Sequence, residues 1–452
     1  MAEGDFVHGE YQPTARIVVV ARALARVGTG GDLRDLHLLA ALRRVGTVEV
    51  FVAGSLTASA RAAASDHFGV PVHGGRSTNH RWPATVLRYL TRRDLPARAA
   101  RTNHSADLEE LRPLVETASV VVCWHAAAYL AVHRVVSAPI ITDFDDFQSE
   151  LIAQRRELDA TEPAHPRPLR PQWKFVLQWA LGPYLRIEQA RWRRAERAAL
   201  AGSRMALVCS DADRSLAYAA DNVHVVGNGF DTPCEVVDHR SVGHPPTLTF
   251  WGLMSYPPNR DGALWFLTNV WPIVKQQLPA ARLRIIGSGS EQLGISTGND
   301  VEVHGFVDDL SPWLTASDVA IVPLRMGGGT RIKIVEAWAN GLPVVSTTIG
   351  AHGLRLDGSN DLLIADTATE FADAVVRALE DTGLRDRMID AGIERARSLD
   401  WQTVEQRVEE LVRAVLAPDA TSSSRSASAA SASTGDPSAF TADGQTDVRD
   451  RP

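Results

Sequence analysis

PLRMGGGTRIKIVEAWANGLPVVSTTIGAHGL occupies residues 323–354. The apolar run Val319–Leu324 leads into Gly327, Gly328 and Gly329, which let backbone amides approach a ligand closely. Thr330 is placed as the N-cap of a helix running through Ala339 and stopping at Gly341. Arg331 and Lys333 fall in its first turn, where the macrodipole disfavours cations. A bound anion removes that conflict, because the free N–H groups of a helix start form an anion site. Glu336 lies half a helix further on, within reach of a ribose hydroxyl when phosphates occupy the helix start. The run Pro343–Thr347 then reads as another buried strand.

The same alternation extends in both directions. Arg16–Ala21, Glu49–Ala53, Ser119–Trp124, Pro139–Phe144, Met205–Ser210 and Val223–Gly227 are short, nearly continuous apolar runs. Leu248–Gly252, Ala281–Gly287, Val301–Phe306 and Asp361–Ala365 continue the series. Such runs suit strands buried on both faces, and helices between them imply parallel sheets. Asp231–Pro246 (DTPCEVVDHRSVGHPP) interrupts the series as a Pro-rich polar linker. The expected organisation is an α/β protein of two Rossmann-like domains. The first spans 15–235, with a helical segment at about 151–200, and the second spans 245–398. A final helix covers 399–416. The Ser/Ala/Thr/Asp-rich tail, 418–452, is expected to be disordered.

A length of 452 residues accommodates two such domains. The net charge of −7 argues against a general nucleic-acid binder. Cys123, Cys209 and Cys234 form neither a disulfide framework nor zinc-ligand spacing. Met1–Thr14 lacks a basic and an apolar region, and no apolar run nears the ~18 residues that span a bilayer. A cytoplasmic protein is therefore expected. Only three of the 47 basic residues are lysines, Lys174, Lys275 and Lys333, which singles out Lys333.

Residues 323–354 resemble the donor-binding motif of the retaining GT-B glycosyltransferases of family 4. Glu336, Ala337, Gly341, Pro343, Val344 and Val345 match its second half. The family's first glutamate falls on Gly328, and the Gly-Gly-Gly-Thr-Arg-x-Lys version resembles a subgroup. Val225–Asp231 (VVGNGFD), Phe250–Asp261 (FWGLMSYPPNRD) and Trp401–Leu416 resemble further family segments, so the likeness covers most of 15–416.

The resemblance implies a GT-B fold, two Rossmann-like domains facing across a cleft, with the C-terminal helix crossing back to the first. It implies transfer of a hexose from a nucleotide-diphosphate sugar to a hydroxyl acceptor in glycan or glycoconjugate biosynthesis, with retention and without metal. No cofactor is expected beyond that co-substrate; the acceptor is a glycan, a lipid-linked molecule or a small molecule. Glu336 would bind ribose; Arg331, Lys333 and the amides of Gly328, Gly329 and Thr330 would hold the diphosphate. Gly30 and Gly31 would pass close to donor phosphate. Asn228 and Gly229 would line the cleft. Asn259 stands, with Arg260, where many members carry Arg and Lys. His125 and Asp145 would lie near the acceptor and the reacting carbon.

Other readings remain. Asp143-Phe-Asp145 and Asp211-Ala-Asp213 are DxD patterns like those that hold metal in GT-A enzymes, but two Rossmann-like halves favour GT-B. A nucleotide-sugar epimerase or hydrolase, or a non-catalytic nucleotide-sugar binder, fits the same fold. The stretch Val27–Leu38 (VGTGGDLRDLHL) lacks the third glycine of a dinucleotide fingerprint, which disfavours an NAD oxidoreductase.

Two stretches mix arginines with aromatics. His80–Arg101 carries six arginines beside Trp82, Leu87, Tyr89 and Leu90, and 151–200 carries ten basic against five acidic residues. They read either as amphipathic helices packed on their own domain, or as peripheral contacts with an anionic membrane at the inner face of the plasma membrane.

Overall fold

A computed structural model describes residues 15–24, 30–161, 171–218, 220–230, 245–295, 298, 300–329, 331–354 and 361–417. The N-terminal segment 1–14, most of the linker, Cys234, Thr330 and the tail 418–452 lie outside the described residues. So do the side chains of Trp82, Arg98 and 171–181.

The first half contains β1 (Ala15–Ala21), β2 (Gly46–Val52), β3 (Val72–Gly74) and a small antiparallel pair, β4 (Thr78–Asn79) and β5 (Thr102–Asn103). It continues with β6 (Val120–Trp124), β7 (Ile140–Phe144), β8 (Met205–Val208) and β9 (Val223–Val225). The second half contains β10 (Thr247–Trp251), β11 (Arg282–Ile286), β12 (Val301–His304), β13 (Val319–Val322), β14 (Val344–Ser346) and β15 (Leu363–Ile364). Every apolar run above holds one of these strands. The three-residue β3 and the pair β4/β5 have no such run and escape sequence reading.

Two parallel sheets result, with strand orders β3-β2-β1-β6-β7-β8-β9 and β12-β11-β10-β13-β14-β15. In each, the chain grows outward from one strand and then returns to its other side. The switch points therefore lie between β1 and β6, and between β10 and β13.

The β1 residues show why the runs are continuously apolar. Ile17, Val19 and Ala21 enter one core cluster, while Val18 and Val20 enter another on the opposite face. Both faces are covered by helices, so alternate positions are all withdrawn from water. Over 148–202 the described chain is helical, with helices Gln148–Thr161 and Pro171–Gly202 in mutual contact.

The last helix, Trp401–Leu416, returns to the first domain. Its Val408, Leu411 and Val412 belong to the same cluster as Ile17 and Val19. Its Glu405 binds His37 Nδ1 at 2.6 Å and Arg44 at 2.5 Å, and Trp401 stacks on His37 with ring centroids 4.2 Å apart. His37 lies in helix Gly30–Arg43, which follows β1.

Candidate active site

A cavity of about 940 Å³ lies between the two sheets, at the carboxyl ends of the strands flanking both switch points. Trp124 and His125 border it at the end of β6, and Trp251 and Gly252 at the end of β10.

The wall supplied by the second domain is cationic. Helix Ile332–Ala339 points its N-terminus at the cavity, which Arg331, Ile332 and Lys333 line. Arg331, not Thr330, occupies the N-cap position and makes no side-chain capping bond there. Its Nη1 donates instead to the Gly328 carbonyl at 2.5 Å. Its Nε is buried without a partner among the described residues. A buried N–H left unsatisfied costs free energy, so this donor set fits an incoming anion.

Lys333 Nζ donates to Asn259 Oδ1 at 2.8 Å and to the Trp251 carbonyl at 3.1 Å. Burial, reinforced by the neighbouring Arg331 charge, brings its pKa down to about 7, with Glu336 opposing. Gly252, at φ 140°, makes room for this arrangement: a Cβ there would sit 2.7 Å from Asn259 Nδ2. Glu336 accepts a hydrogen bond from Trp251 Nε1 at 2.7 Å, and burial pushes its carboxyl up to about 7. Trp251 thus fixes the acid, a role that its place in an apolar run conceals.

The facing wall of the first domain is acidic. Asp145 and Asp146 follow β7 and line the cavity with Asp35. The glycine loop packs against them. A Cβ on Gly328 would lie 3.0 Å from the Asp146 Cβ, and one on Gly329 would lie 2.7 Å from the Asp145 carbonyl oxygen. Gly329 has φ 69°, a conformation that glycine adopts without cost. Gly327 donates its amide to Gln154 Oε1 at 2.7 Å, a further bond between the domains. Asp145 Oδ1 accepts from the Cys209 thiol at 3.4 Å. Burial raises the carboxyl of Asp146, with His125 opposing, and raises Asp35 strongly, with Asp143 and Asp145 adding to it. His125, at φ 65°, is one of two described non-glycine residues with positive φ. Such strain clusters at functional sites.

Asp143 plays a different part from its neighbours. Arg34 binds both its oxygens, at 2.6 and 3.0 Å, and both side chains are almost fully buried. The other guanidinium nitrogen donates to Asn228 Oδ1 at 2.7 Å and to the Val226 carbonyl at 3.1 Å. Arg34 escapes the sequence reading because it is one arginine among many; the bidentate pair exists only once the helix after β1 meets the end of β7. Asp213, in the other DxD pattern, accepts from its own N-cap Ser210 and pairs with His352 of the second domain at 3.4 Å.

Most expected site residues border this one cavity: Gly30, Gly31, His125, Asp145, Asn228, Asn259, Gly328, Gly329, Arg331, Lys333 and Glu336. Gly30 opens its helix at the point where Ile332 crosses, since a Cβ there would meet Ile332 Cδ1 at 2.9 Å. Asn259 faces Lys333 and so acts through it. Gly229 is placed apart from them. It is absent from the cavity wall, and a Cβ on it would lie 2.7 Å from the Trp401 backbone nitrogen. Its lack of a side chain serves the crossover helix. Thr330 lies outside the described residues.

Residues 245–381 match the family model of glycosyl transferases group 1. That span includes Trp251, Asn259, Arg331, Lys333 and Glu336, the whole cationic wall. Similar curated proteins include a phosphatidyl-myo-inositol mannosyltransferase of Mycobacterium leprae, 34% identical over 170 residues, covering 36% of this chain and 45% of that one. The lipopolysaccharide core biosynthesis glycosyltransferase LpsE of Rhizobium meliloti is 33% identical over 129 residues, covering 26% and 37%. The chain thus spans less than half the length of these relatives. Among solved structures, Anabaena Alr3699/HepE in complex with UDP aligns with TM-score 0.58 and 15% identity, covering 88% of this chain and all of that one. WaaG, a glycosyltransferase involved in lipopolysaccharide biosynthesis, aligns with TM-score 0.55 and 12% identity, covering 87% and 99%. The fold is GT-B.

Proposed function

We propose that this protein is a retaining hexosyltransferase that moves a sugar from a nucleotide-diphosphate donor to a hydroxyl acceptor, without a metal ion. One observation carries the reading: Arg331, Lys333 and Glu336 at a helix start face His125, Asp145 and Asp146 across a single cavity. The cationic wall suits a diphosphate, and the acidic wall suits hydroxyl groups. The family match and the names of the relatives support it.

In this reading the sugar C1–O bond to the β-phosphate breaks, and the acceptor oxygen bonds to C1 on the same face. The acceptor proton passes to the leaving phosphate oxygen. Arg331, Lys333 and the helix start take up the charge that develops on that oxygen, and both substrates are held in reacting geometry. Glu336, held by Trp251, binds the ribose. Asp143, already paired with Arg34, takes no part in the transfer itself. A lipid-linked acceptor agrees with the phosphatidyl-myo-inositol mannosyltransferase and lipopolysaccharide core biosynthesis names.

The test is a thermal-shift panel of UDP, GDP, ADP and dTDP, each with and without Mg²⁺, since a ligand of the native state raises the melting midpoint. One nucleotide should shift the parent protein without Mg²⁺, and the shift should vanish in Lys333→Ala and Glu336→Ala. A shift that needs Mg²⁺ would overturn the metal-independent reading. No shift with any nucleotide would overturn the donor site.

A further inference from the structure

Five of the eight exposed large apolar side chains among the described residues fall on two adjoining helices, Trp82–Thr91 and Pro171–Gly202. Leu87 and Leu90 are 62% and 64% exposed, Ile187 is 48% exposed, and Val86 and Tyr184 accompany them. The helices meet through Tyr89 and Tyr184, whose ring centroids are 6.5 Å apart, and through Arg191, whose guanidinium lies 3.7 Å from the Tyr89 ring centroid. Tyr89 accounts for the packed side of the short helix. Among the described residues Leu87 and Leu90 are left largely uncovered, so packing on the protein's own domain explains only part of this sequence.

The charge around the apolar side chains runs against that of the whole chain. Residues 81–94 and 184–197 hold nine arginines and three acids, in a protein of net charge −7. All three acids are engaged: Asp94 by Arg92, Glu188 by the Ala97 amide, and Glu196 by Ser149. Arg81, Arg93, Arg186, Arg193 and Arg194 are exposed. On the side of the short helix these arginines are Arg81, Arg93 and Arg194, the last donating to the Arg93 carbonyl, and apolar side chains beside such arginines suit the interface of an anionic bilayer, where the former enter the acyl boundary and the latter meet phosphates.

We infer that this pair of helices seats the protein on anionic lipid. The longer helix also reaches the cavity through Trp192 and Glu196. Ile187 precedes Trp192 by five residues, about 7.5 Å along the helix axis and on a different side of the helix. A lipid-linked hydroxyl acceptor held at the patch would therefore reach around this one helix to the acidic wall. This last step rests on the proposed transferase reading; the lipid contact itself does not.

The test is sedimentation of the full chain with vesicles of phosphatidylcholine alone, or with phosphatidylglycerol added as one third of the lipid. The protein should pellet only with the anionic vesicles, and high salt should lower the bound fraction by roughly tenfold, because screening removes the arginine term. The double variant Leu87→Ser/Leu90→Ser should stay in the supernatant, with unchanged melting and an unchanged nucleotide shift. Arg93→Glu/Arg194→Glu should weaken pelleting in the same way. Equal recovery in both supernatants would overturn the inference. So would a Leu87/Leu90 variant that pellets like the parent, or self-association, lost in that variant, without vesicle binding. Pelleting in a protein that shifts with no nucleotide would leave the lipid contact standing and remove the transferase reading.

Discussion

Asn259 Oδ1 lies 2.8 Å from Lys333 Nζ, and this bond aims the ammonium across the helix start toward the cavity. The Trp251 carbonyl takes a second bond of the same ammonium, while the indole of Trp251 holds Glu336. The end of β10 therefore sets the positions of both the cation and the acid that face the proposed donor.

With a nucleoside diphosphate as the proposed ligand, that arrangement predicts a definite pH dependence of binding. Burial, then Arg331, brings the Lys333 pKa down to about 7, and a diphosphate beside the ammonium raises it again. The affinity contributed by Lys333 is thus complete below about pH 7 and is lost as pH rises toward the bound-state value. The loss is at most about tenfold per pH unit, because one proton is involved. Calorimetric titration with the nucleoside diphosphate, in two buffers of different ionisation enthalpy, should show proton uptake of up to about one equivalent above pH 7. Lys333→Arg should keep binding and abolish the uptake. Glu336 is also pushed to about 7, and the arginine variant leaves it in place, so the comparison isolates the lysine. Affinity independent of pH in the parent protein would refute the assignment.

The Arg34–Asp143 pair makes a stability prediction. Burial disfavours the Arg34 charge, yet Asp143, helped by Cys209 and Asp145, raises the guanidinium well above its usual value. Arg34→Met leaves the Asp143 carboxylate buried and unpaired, which costs about 3–5 kcal/mol. It also releases Asn228 and the Val226 carbonyl. Removing both charges in Arg34→Met/Asp143→Leu should recover much of the loss, because the uncompensated charge is gone. Denaturant unfolding monitored by circular dichroism measures both. A single variant as stable as the parent would show that the pair contributes nothing.

The strands of both sheets and the cationic wall could be read from sequence because each depends on local pattern. Continuous apolar runs mark strands covered on two faces, as Ile17 to Val20 show. Three glycines before two cations mark a helix start that borders the cavity. Trp251, Arg34 and Gln154 could not be read this way. Each acts through a partner at least 85 residues away: Trp251 on Glu336, Arg34 on Asp143, and Gln154 on Gly327. No local spacing encodes such meetings. Gly229 is the converse case: a glycine beside an asparagine in a family-like segment suggests a ligand contact, while the space left by its missing side chain lies against the Trp401 backbone.

Two glycines separate site from scaffold. Gly329 combines a φ of 69° with a Cβ position 2.7 Å from the Asp145 carbonyl oxygen. Alanine there must force the donor loop away from the acidic wall, in a conformation that costs about 1 kcal/mol or more. Gly329→Ala should therefore lower turnover and nucleotide affinity far more than the melting midpoint. At Gly229 a Cβ would lie 2.7 Å from the Trp401 nitrogen and 2.8 Å from its Cα, both backbone atoms that cannot swing aside. Gly229→Ala should push the crossover helix off His37 and the β1 core, lowering the melting midpoint while nucleotide affinity per folded molecule stays the same. Melting curves and nucleotide titrations on both variants decide the matter. If Gly229→Ala lost affinity at an unchanged melting midpoint, Gly229 would belong to the donor site after all.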